Sequence, residues 1–166
     1  YIHSKGLECG IYTDVGPRTC AGYEGSYGHE ELDAQTFASW GVDFVEEDSC
    51  NHQDIKPYTP YSTLYGRMRD ALNKTGRPMT FYMCVQGQED VFKWGRRTGN
   101  LWRTTMDICA PNHATWGKML QNFYGNARYP NVTAPGAWQD PDMLIVGMPI
   151  DGQLNNHTRV QWRSHL

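Results

Sequence analysis

The spacing of apolar residues changes back and forth between two periods along the chain, and each period predicts one kind of element. Short apolar or alternating stretches, typical of strands, lie at residues 7–12, 42–48, 78–86, 101–107 and 137–146. Stretches with helical spacing lie between them, at residues 29–40, 61–72, 88–94 and 116–124. Strand and helix therefore alternate along the chain, which is typical of parallel strands joined by helical crossovers.

This alternation fits two α/β architectures, a doubly wound sheet or a stretch of a (β/α)8 barrel. The chain has 166 residues, which is fewer than the roughly 250 of a complete barrel. No GxGxxG or Walker A loop follows a predicted strand, which argues against nucleotide binding. The chain begins without Met and starts and stops in mid-pattern, so we expect one partial domain, residues 1–166, of a longer polypeptide.

Composition excludes several classes of partner. The net charge is −3 and the Lys and Arg residues are scattered, so we expect no nucleic-acid partner. No apolar run approaches the roughly 20 residues that span a bilayer, so we expect no membrane span. Aromatic residues make up 13% of the chain, which is compatible with sugar stacking but equally with a large aromatic core.

The cysteines and glycosylation sequons bear on the cellular compartment. Five Cys are too dispersed for a zinc ribbon or a CxxC motif, which leaves disulfides or buried thiols as the alternatives. Sequons of the N-x-[ST] type occur at Asn73, Asn131 and Asn156. Together these features favour a secreted or lysosomal/vacuolar protein.

Carboxylates mark the ends of three predicted strands. Period-two geometry places Glu46 and Asp48 on one strand face, and Arg103 and Asp107 on one face of a later strand. The last strand region adds Asp142. Active sites of parallel α/β folds lie at the C-terminal strand ends. Because the chain has no HxxxH spacing and no GxSxG elbow, we expect carboxylate chemistry without a metal or another cofactor.

Several motifs resemble glycoside hydrolase family 27, the α-galactosidases and α-N-acetylgalactosaminidases. They are GIYTD at 10–14, TCAG at 19–22, DAQTFASWGVD at 33–43, EDSC at 47–50, WRTTMDI at 102–108 and PGAWQDPDML at 135–144. The resemblance implies a (β/α)8 TIM barrel of which this chain holds the third to seventh strands. It also implies a retaining enzyme that releases terminal α-linked galactose, or a related sugar, from an oligosaccharide or glycoconjugate. An open barrel leaves two edge strands unpaired, so we expect the isolated piece to aggregate or be inactive. Whether the full-length protein forms a homodimer stays open.

The resemblance also implies roles for individual residues. Asp48 would be the nucleophile and Asp107 the general acid/base of a double displacement. Arg103 would bond the sugar 2-hydroxyl or position the acid. Tyr12 would border the site, and Asp142 would bond the sugar ring near the nucleophile.

Three positions depart from the family pattern inside the implied sugar site. Glu46 stands where the family usually has a Lys that contacts sugar hydroxyls, and Val85-Gln86 stands in place of Glu-Trp. These departures keep two alternatives open. One is a hydrolase retuned to another glycoside, such as a β-L-arabinopyranoside or an α-glucan. The other is a carbohydrate-binding or inactive relative.

For the cysteines, the resemblance implies a disulfide between Cys20 and Cys50 that ties two strand-end loops together. The family's usual partner of Cys84 is absent, and Cys109 is a candidate substitute. The pairing of Cys9, Cys84 and Cys109 stays open.

Overall fold

A computed structural model describes residues 1–108 and 115–143, together with the backbone of two short strands further on. The main strands are β1 (Gly10–Asp14), β2 (Phe44–Asp48), β3 (Thr80–Met83), β4 (Leu101–Arg103) and β5 (Trp138–Asp140), and the short strands are β6 (Pro149–Ile150) and β7 (Gln153–Leu154). The helices are α1 (Glu30–Ser39), α2 (Tyr61–Lys74) and α3 (Trp116–Ala127). Among these described helices, none has the length and apolar character needed to cross a membrane.

The sheet decides between the two architectures that the alternation allows. Its five strands are all parallel and follow one another in chain order, β1-β2-β3-β4-β5. A doubly wound sheet reverses its strand order at a switch point, whereas a barrel adds each new strand on the same side. The described sheet is therefore a stretch of barrel wall. Its register pairs Asp14 with Asp48, and Arg103 with Asp140, so the C-terminal ends of these strands lie along one edge.

Strand boundaries differ from the predicted ones in two places that matter for the site. The first strand covers Gly10–Asp14 rather than residues 7–12. The strand predicted at 101–107 ends at Arg103, so Asp107 lies on the following loop and not at a strand tip. The period-two argument that paired Arg103 with Asp107 on one strand face was therefore wrong. The predicted last strand is three residues long, and positions 144–146 fall outside the described residues.

The hydrophobic core lies between the sheet and the helices. From the strands, Val45, Phe81 and Trp102 are buried in one cluster with Leu64 and Met68 of α2. Burying an aliphatic or aromatic side chain of this size stabilises a fold by about 1.5–3 kcal/mol. Side chains alternate across a strand, so burial of Val45 turns its neighbours towards the opposite face of the sheet. On that face, Glu46 lies near aromatic rings, since Phe44 and Tyr82 pack against each other with their centroids 6.0 Å apart.

Helix α3 forms as predicted, but most of its apolar face is exposed, although burial of that face was expected. The helical spacing at 116–124 predicts one apolar face made of Trp116, Met119, Leu120, Phe123 and Tyr124. Of these, Met119 alone is buried, while Phe123 and Tyr124 are 58% and 67% exposed. Asn122 is buried instead, and its amide donates hydrogen bonds to backbone carbonyls in the segments after β4 and β5. Two hydrogen bonds from Asn122 therefore also connect this helix to the segments that follow β4 and β5.

Candidate active site

Asp48 is the last residue of β2, and side-chain and backbone donors hold both of its carboxylate oxygens. The hydroxyl of Tyr12, on β1, donates to Oδ2 at 2.7 Å, and the backbone N–H of Ser49 donates to Oδ1 at 2.8 Å. Asp48 is only 9% exposed. Burial, followed by the hydrogen bond to Asp48, raises the pKa of Tyr12 well above its usual value. Tyr12 is therefore a neutral hydroxyl donor over the whole range in which proteins are folded.

A disulfide and a second buried carboxyl support the Asp48 end of the site. Cys20 and Cys50 are joined with their Cα atoms 5.1 Å apart, and the Cys20 sulfur lies 3.1 Å from Asp48 Oδ2. Asp14, at the end of β1, accepts hydrogen bonds from the backbone N–H of Gly16 and of Cys50. Burial raises the pKa of Asp14 to about 6, although those hydrogen bonds act to lower it. The bridge and Asp14 together connect the loop after β1 to the loop after β2.

The same four side chains do not form a metal site. One ligand atom from each of Asp14, Cys20, Asp48 and Cys50 lies within 4.8 Å of the others. Both sulfurs belong to the disulfide, however, and cannot become the thiolates that bind a metal. Only two carboxylates are left, and Tyr12 and backbone donors already occupy them.

The second predicted carboxylate, Asp107, is held by Arg103 from the last position of β4. Arg103 Nη2 lies 2.7 Å from Asp107 Oδ1, and Nη1 of the same side chain lies 3.2 Å from Asp142 Oδ1. Arg103 and Asp142 are buried, whereas the Asp107 side chain is 46% exposed. The amide of Gln86 approaches Asp107 Oδ1 at 3.4 Å. The structure therefore brings Arg103, Asp107 and Asp142 together, with Asp107 reaching Arg103 from a loop and Asp142 beside Arg103, although the expected place of Asp142 was near the nucleophile.

Comparison with known proteins identifies the family. A family model described as alpha galactosidase A matches residues 1–161. The chain belongs to the alpha galactosidase A family. The alpha-galactosidase A of Cellvibrio japonicus is 43% identical to it over 176 residues, which covers 100% of this chain and 40% of that protein.

Two solved structures carry the likeness into three dimensions. Alpha-galactosidase I from Mortierella vinacea superimposes with a TM-score of 0.78 at 30% identity, covering 96% of this chain and 44% of that one. The alfa-galactosidase from Saccharomyces cerevisiae, solved with raffinose, gives a TM-score of 0.74 at 31% identity, covering 89% and 37%. The predicted membership is confirmed, and the five parallel strands are part of a TIM barrel. The chain spans about two fifths of the length of the first curated relative.

In this member of the alpha galactosidase A family, two further titratable side chains, Glu46 and Cys84, lie next to the site. Burial, and then the charge of Asp48, raises the pKa of Glu46, and no group in the described ranges hydrogen-bonds to its carboxyl. Cys84 is a buried thiol whose sulfur lies 3.7 Å from Arg103 Nη1. Burial, reinforced by Asp48, raises its pKa, so the thiol is protonated. Cys109 lies outside the described residues, so its pairing with Cys84 is still a prediction.

Sequence reasoning missed the part that Asp14 and Gln86 play in this site. Asp14 falls in a turn-rich stretch after the predicted first strand, which favours a turn residue. Pairing the ends of the first two parallel strands in register would have placed Asp14 beside Asp48, as observed. Gln86 had been noted as a departure from the family pattern inside the implied sugar site, but its contact with Asp107 depends on a local turn that the sequence did not predict.

Proposed function

We propose that the protein containing this chain is a retaining glycoside hydrolase that releases terminal α-linked galactose, or a closely related sugar. The observation that carries the proposal is the pair of carboxylates at one edge of the sheet. Asp48 is buried and supplied with donors, whereas Asp107 is half-exposed beside a buried arginine. Family membership, and relatives such as the alpha-galactosidase A of Cellvibrio japonicus, support α-galactosides as the substrate class.

The chemistry that suits this pair is a double displacement. An Asp48 oxygen attacks the anomeric carbon while the bond to the leaving oxygen breaks and Asp107 gives that oxygen a proton. The product is a glycosyl-enzyme ester on Asp48. Asp107, now ionised, takes a proton from water as the water oxygen attacks the same carbon, and Asp48 leaves as a carboxylate. Two inversions return the starting configuration.

The surroundings of the two carboxylates suit these different tasks. The Tyr12 hydroxyl and the Ser49 N–H donate to the two oxygens of Asp48, which fixes the orientation of this carboxyl for attack. Asp107 is exposed enough to meet a leaving group and an incoming water. Arg103, paired with Asp142 behind it, would hold the acid in place or bond the sugar 2-hydroxyl.

We propose an oligosaccharide or glycoconjugate as substrate and a secreted or lysosomal/vacuolar location. The yeast relative solved with raffinose supports the first statement. The disulfide next to Asp48 supports the second, because such bonds persist in oxidising compartments.

Hydrolysis of a panel of aryl α- and β-glycosides by the complete protein tests this function. We expect turnover of an aryl α-galactoside with release of α-galactose as the first product, as seen by NMR. Asp48→Asn and Asp107→Asn should each lower kcat/KM by about 100-fold or more, because each removes a covalent or a proton-transfer step. A folded protein that is silent on the whole panel would instead favour a carbohydrate-binding role.

Glu46 specifically favours a second candidate, a hydrolase acting on another glycoside. Its carboxyl is next to Asp48 and has no partner in the described part of the chain, so it is available to accept a sugar hydroxyl. If Glu46 selects the sugar, Glu46→Lys should change the ratio of kcat/KM between two glycosides by about tenfold, the value of one good hydrogen bond. An unchanged ratio would remove this candidate.

A further inference from the structure

We propose that Gln86 is a positioning residue for Asp107, and that it directs proton transfer to the Oδ2 oxygen of that carboxyl. This inference rests on the proposed function, in which Asp107 is the acid. Gln86 stands at a position where the family usually has Trp, so the family pattern does not supply its role.

The two oxygens of Asp107 have different surroundings. Oδ1 lies 2.7 Å from Arg103 Nη2 and 3.4 Å from Gln86 Nε2. In the described residues, neither a side chain nor a backbone N–H donates to Oδ2. Arginine has no acceptor atom, and the Gln86 nitrogen likewise offers only N–H groups. A proton on Oδ1 would therefore point at two donors, whereas a proton on Oδ2 meets no such conflict.

The backbone around Gln86 is arranged to make this contact. Its φ is 52°, a left-handed value that side chains other than glycine rarely adopt and that persists only where surrounding structure imposes it. The Gly87 N–H donates to the carbonyl of Arg103 at 3.0 Å, and the Gln88 N–H donates to the carbonyl of Val85 at 3.0 Å. The turn is thus bonded to the same residue whose guanidinium holds Asp107.

Gly87 makes this close approach feasible. A Cβ at Gly87 would collide with the backbone carbonyl oxygen of Thr104, immediately after β4. Its φ of 78° is also left-handed. The turn after β3 can therefore pack against the end of β4 only with glycine here, and that packing brings the Gln86 amide to Asp107.

The consequence for catalysis is directional. With Oδ1 facing the two donors, the proton resides on Oδ2 and passes to the leaving oxygen as its bond to the anomeric carbon breaks. The resulting carboxylate keeps its charge-assisted contact with Arg103 through Oδ1, and Oδ2 then accepts the proton of the attacking water. Without Gln86, Arg103 is the one side-chain donor left on Oδ1 among the described residues, and the half-exposed carboxyl rotates more freely.

The test compares good and poor leaving groups, because a poor one needs the acid and a good one hardly does. Gln86→Gly and Gln86→Leu are made in the complete protein, and kcat/KM is measured with 4-nitrophenyl α-galactoside, phenyl α-galactoside and raffinose. We expect kcat/KM for phenyl galactoside and raffinose to fall about 10-fold or more, and that for the nitrophenyl substrate to change less than about threefold, since acid catalysis contributes about 100-fold or more in total.

Glycine suits the left-handed backbone, so Gln86→Gly should unfold at the same denaturant concentration as the unsubstituted protein, or a higher one. Gln88→Leu, a change at an exposed glutamine in the same turn, is the matched control and should leave all three rates unchanged. Equal losses on every substrate, or no loss, in a folded Gln86 variant would overturn this inference while leaving the proposed function in place. Absence of hydrolysis of all three substrates by the unsubstituted protein would overturn both the inference and the proposed function.

Discussion

The two ends of the candidate site are built in different ways. At the Asp48 end, the carboxylate belongs to a regular strand, is paired in register with β1, and lies beside a disulfide. At the Asp107 end, the carboxylate lies on a loop beyond the last residue of β4, and side chains hold it. The strand ladder and a disulfide position Asp48, whereas two side chains, the buried Arg103 guanidinium and the Gln86 amide, contact Asp107.

This difference suits the two tasks in the proposed mechanism. A nucleophile must meet one carbon from one direction, and small misplacements of reacting groups slow such steps strongly. The acid/base group meets a leaving oxygen in one step and a water in the next. The Asp107 end of the site therefore depends on few contacts. Removing one of them should lower stability or activity strongly.

The largest effect is expected at Arg103, the residue on which the Asp107 end depends. Arg103→Met keeps the side-chain volume but leaves the buried Asp142 without its ion-pair partner. Breaking a buried pair from one side costs about 3–5 kcal/mol, which should appear as a lower free energy of unfolding in urea. Arg128→Met, at an exposed arginine, should change it by less than about 0.5 kcal/mol. A loss below about 1 kcal/mol at Arg103 would show that the loop is held by other contacts.

The second largest effect is expected from removing the Cys20–Cys50 disulfide beside Asp48. Cys20→Ser opens a disulfide whose cysteines are 30 residues apart, and chain-entropy arguments assign about 3.6 kcal/mol to a loop of that size. Urea unfolding of the variant should show this loss, together with lower activity. Cys9→Ser, at a cysteine that forms no disulfide within residues 1–108 and 115–143, provides the control. Unchanged stability would mean that the strand ladder alone holds this end.

The comparison also explains which features the sequence predicts. Apolar periodicity identified the strand, helix and turn order, and the strand end at Asp48, because those follow from alternation along the backbone. It failed at Asp107, because β4 leaves the ladder after Arg103 and the contact depends on how far a guanidinium reaches. It failed again at Phe123 of α3, where buried polar bonds from Asn122 replace part of the expected apolar packing. Tertiary contacts of single side chains do not leave a periodic pattern.

The raised pKa of Asp14, beside Asp48, should make the free energy of unfolding depend on pH. Its pKa is raised from 3.8 to about 6, so between these pH values the folded protein binds a proton that the unfolded chain has released. Its contribution to stability is therefore complete below about pH 4 and is lost as the pH rises through 6. The free energy of unfolding of Asp14→Asn, measured from pH 4 to 7, should fall by about 2 kcal/mol less than that of the unsubstituted protein.

Glu47 provides the comparison for this measurement. Burial raises the pKa of Glu47 in the same direction, so the Asp14→Asn variant should retain part of the pH dependence of the unsubstituted protein. Parallel curves for the Asp14→Asn variant and the unsubstituted protein would contradict a raised pKa at Asp14.

The smallest expected effect concerns the single hydroxyl that separates Tyr12 from phenylalanine. Tyr12→Phe removes the donor to Asp48 Oδ2 and leaves the Ser49 N–H on Oδ1, so the nucleophile loses one of two supports. A hydrogen bond to a charged group contributes about 1.5 kcal/mol or somewhat more, which corresponds to roughly a tenfold fall in kcat/KM for an aryl α-galactoside. Because this change affects attack and not protonation, the fall should be similar for 4-nitrophenyl and phenyl leaving groups. Tyr23→Phe, at an exposed tyrosine on the loop after β1, should leave the rate unchanged. A fall confined to the phenyl substrate would place Tyr12 in proton transfer. The division of tasks between the Asp48 end and the Asp107 end would then be wrong.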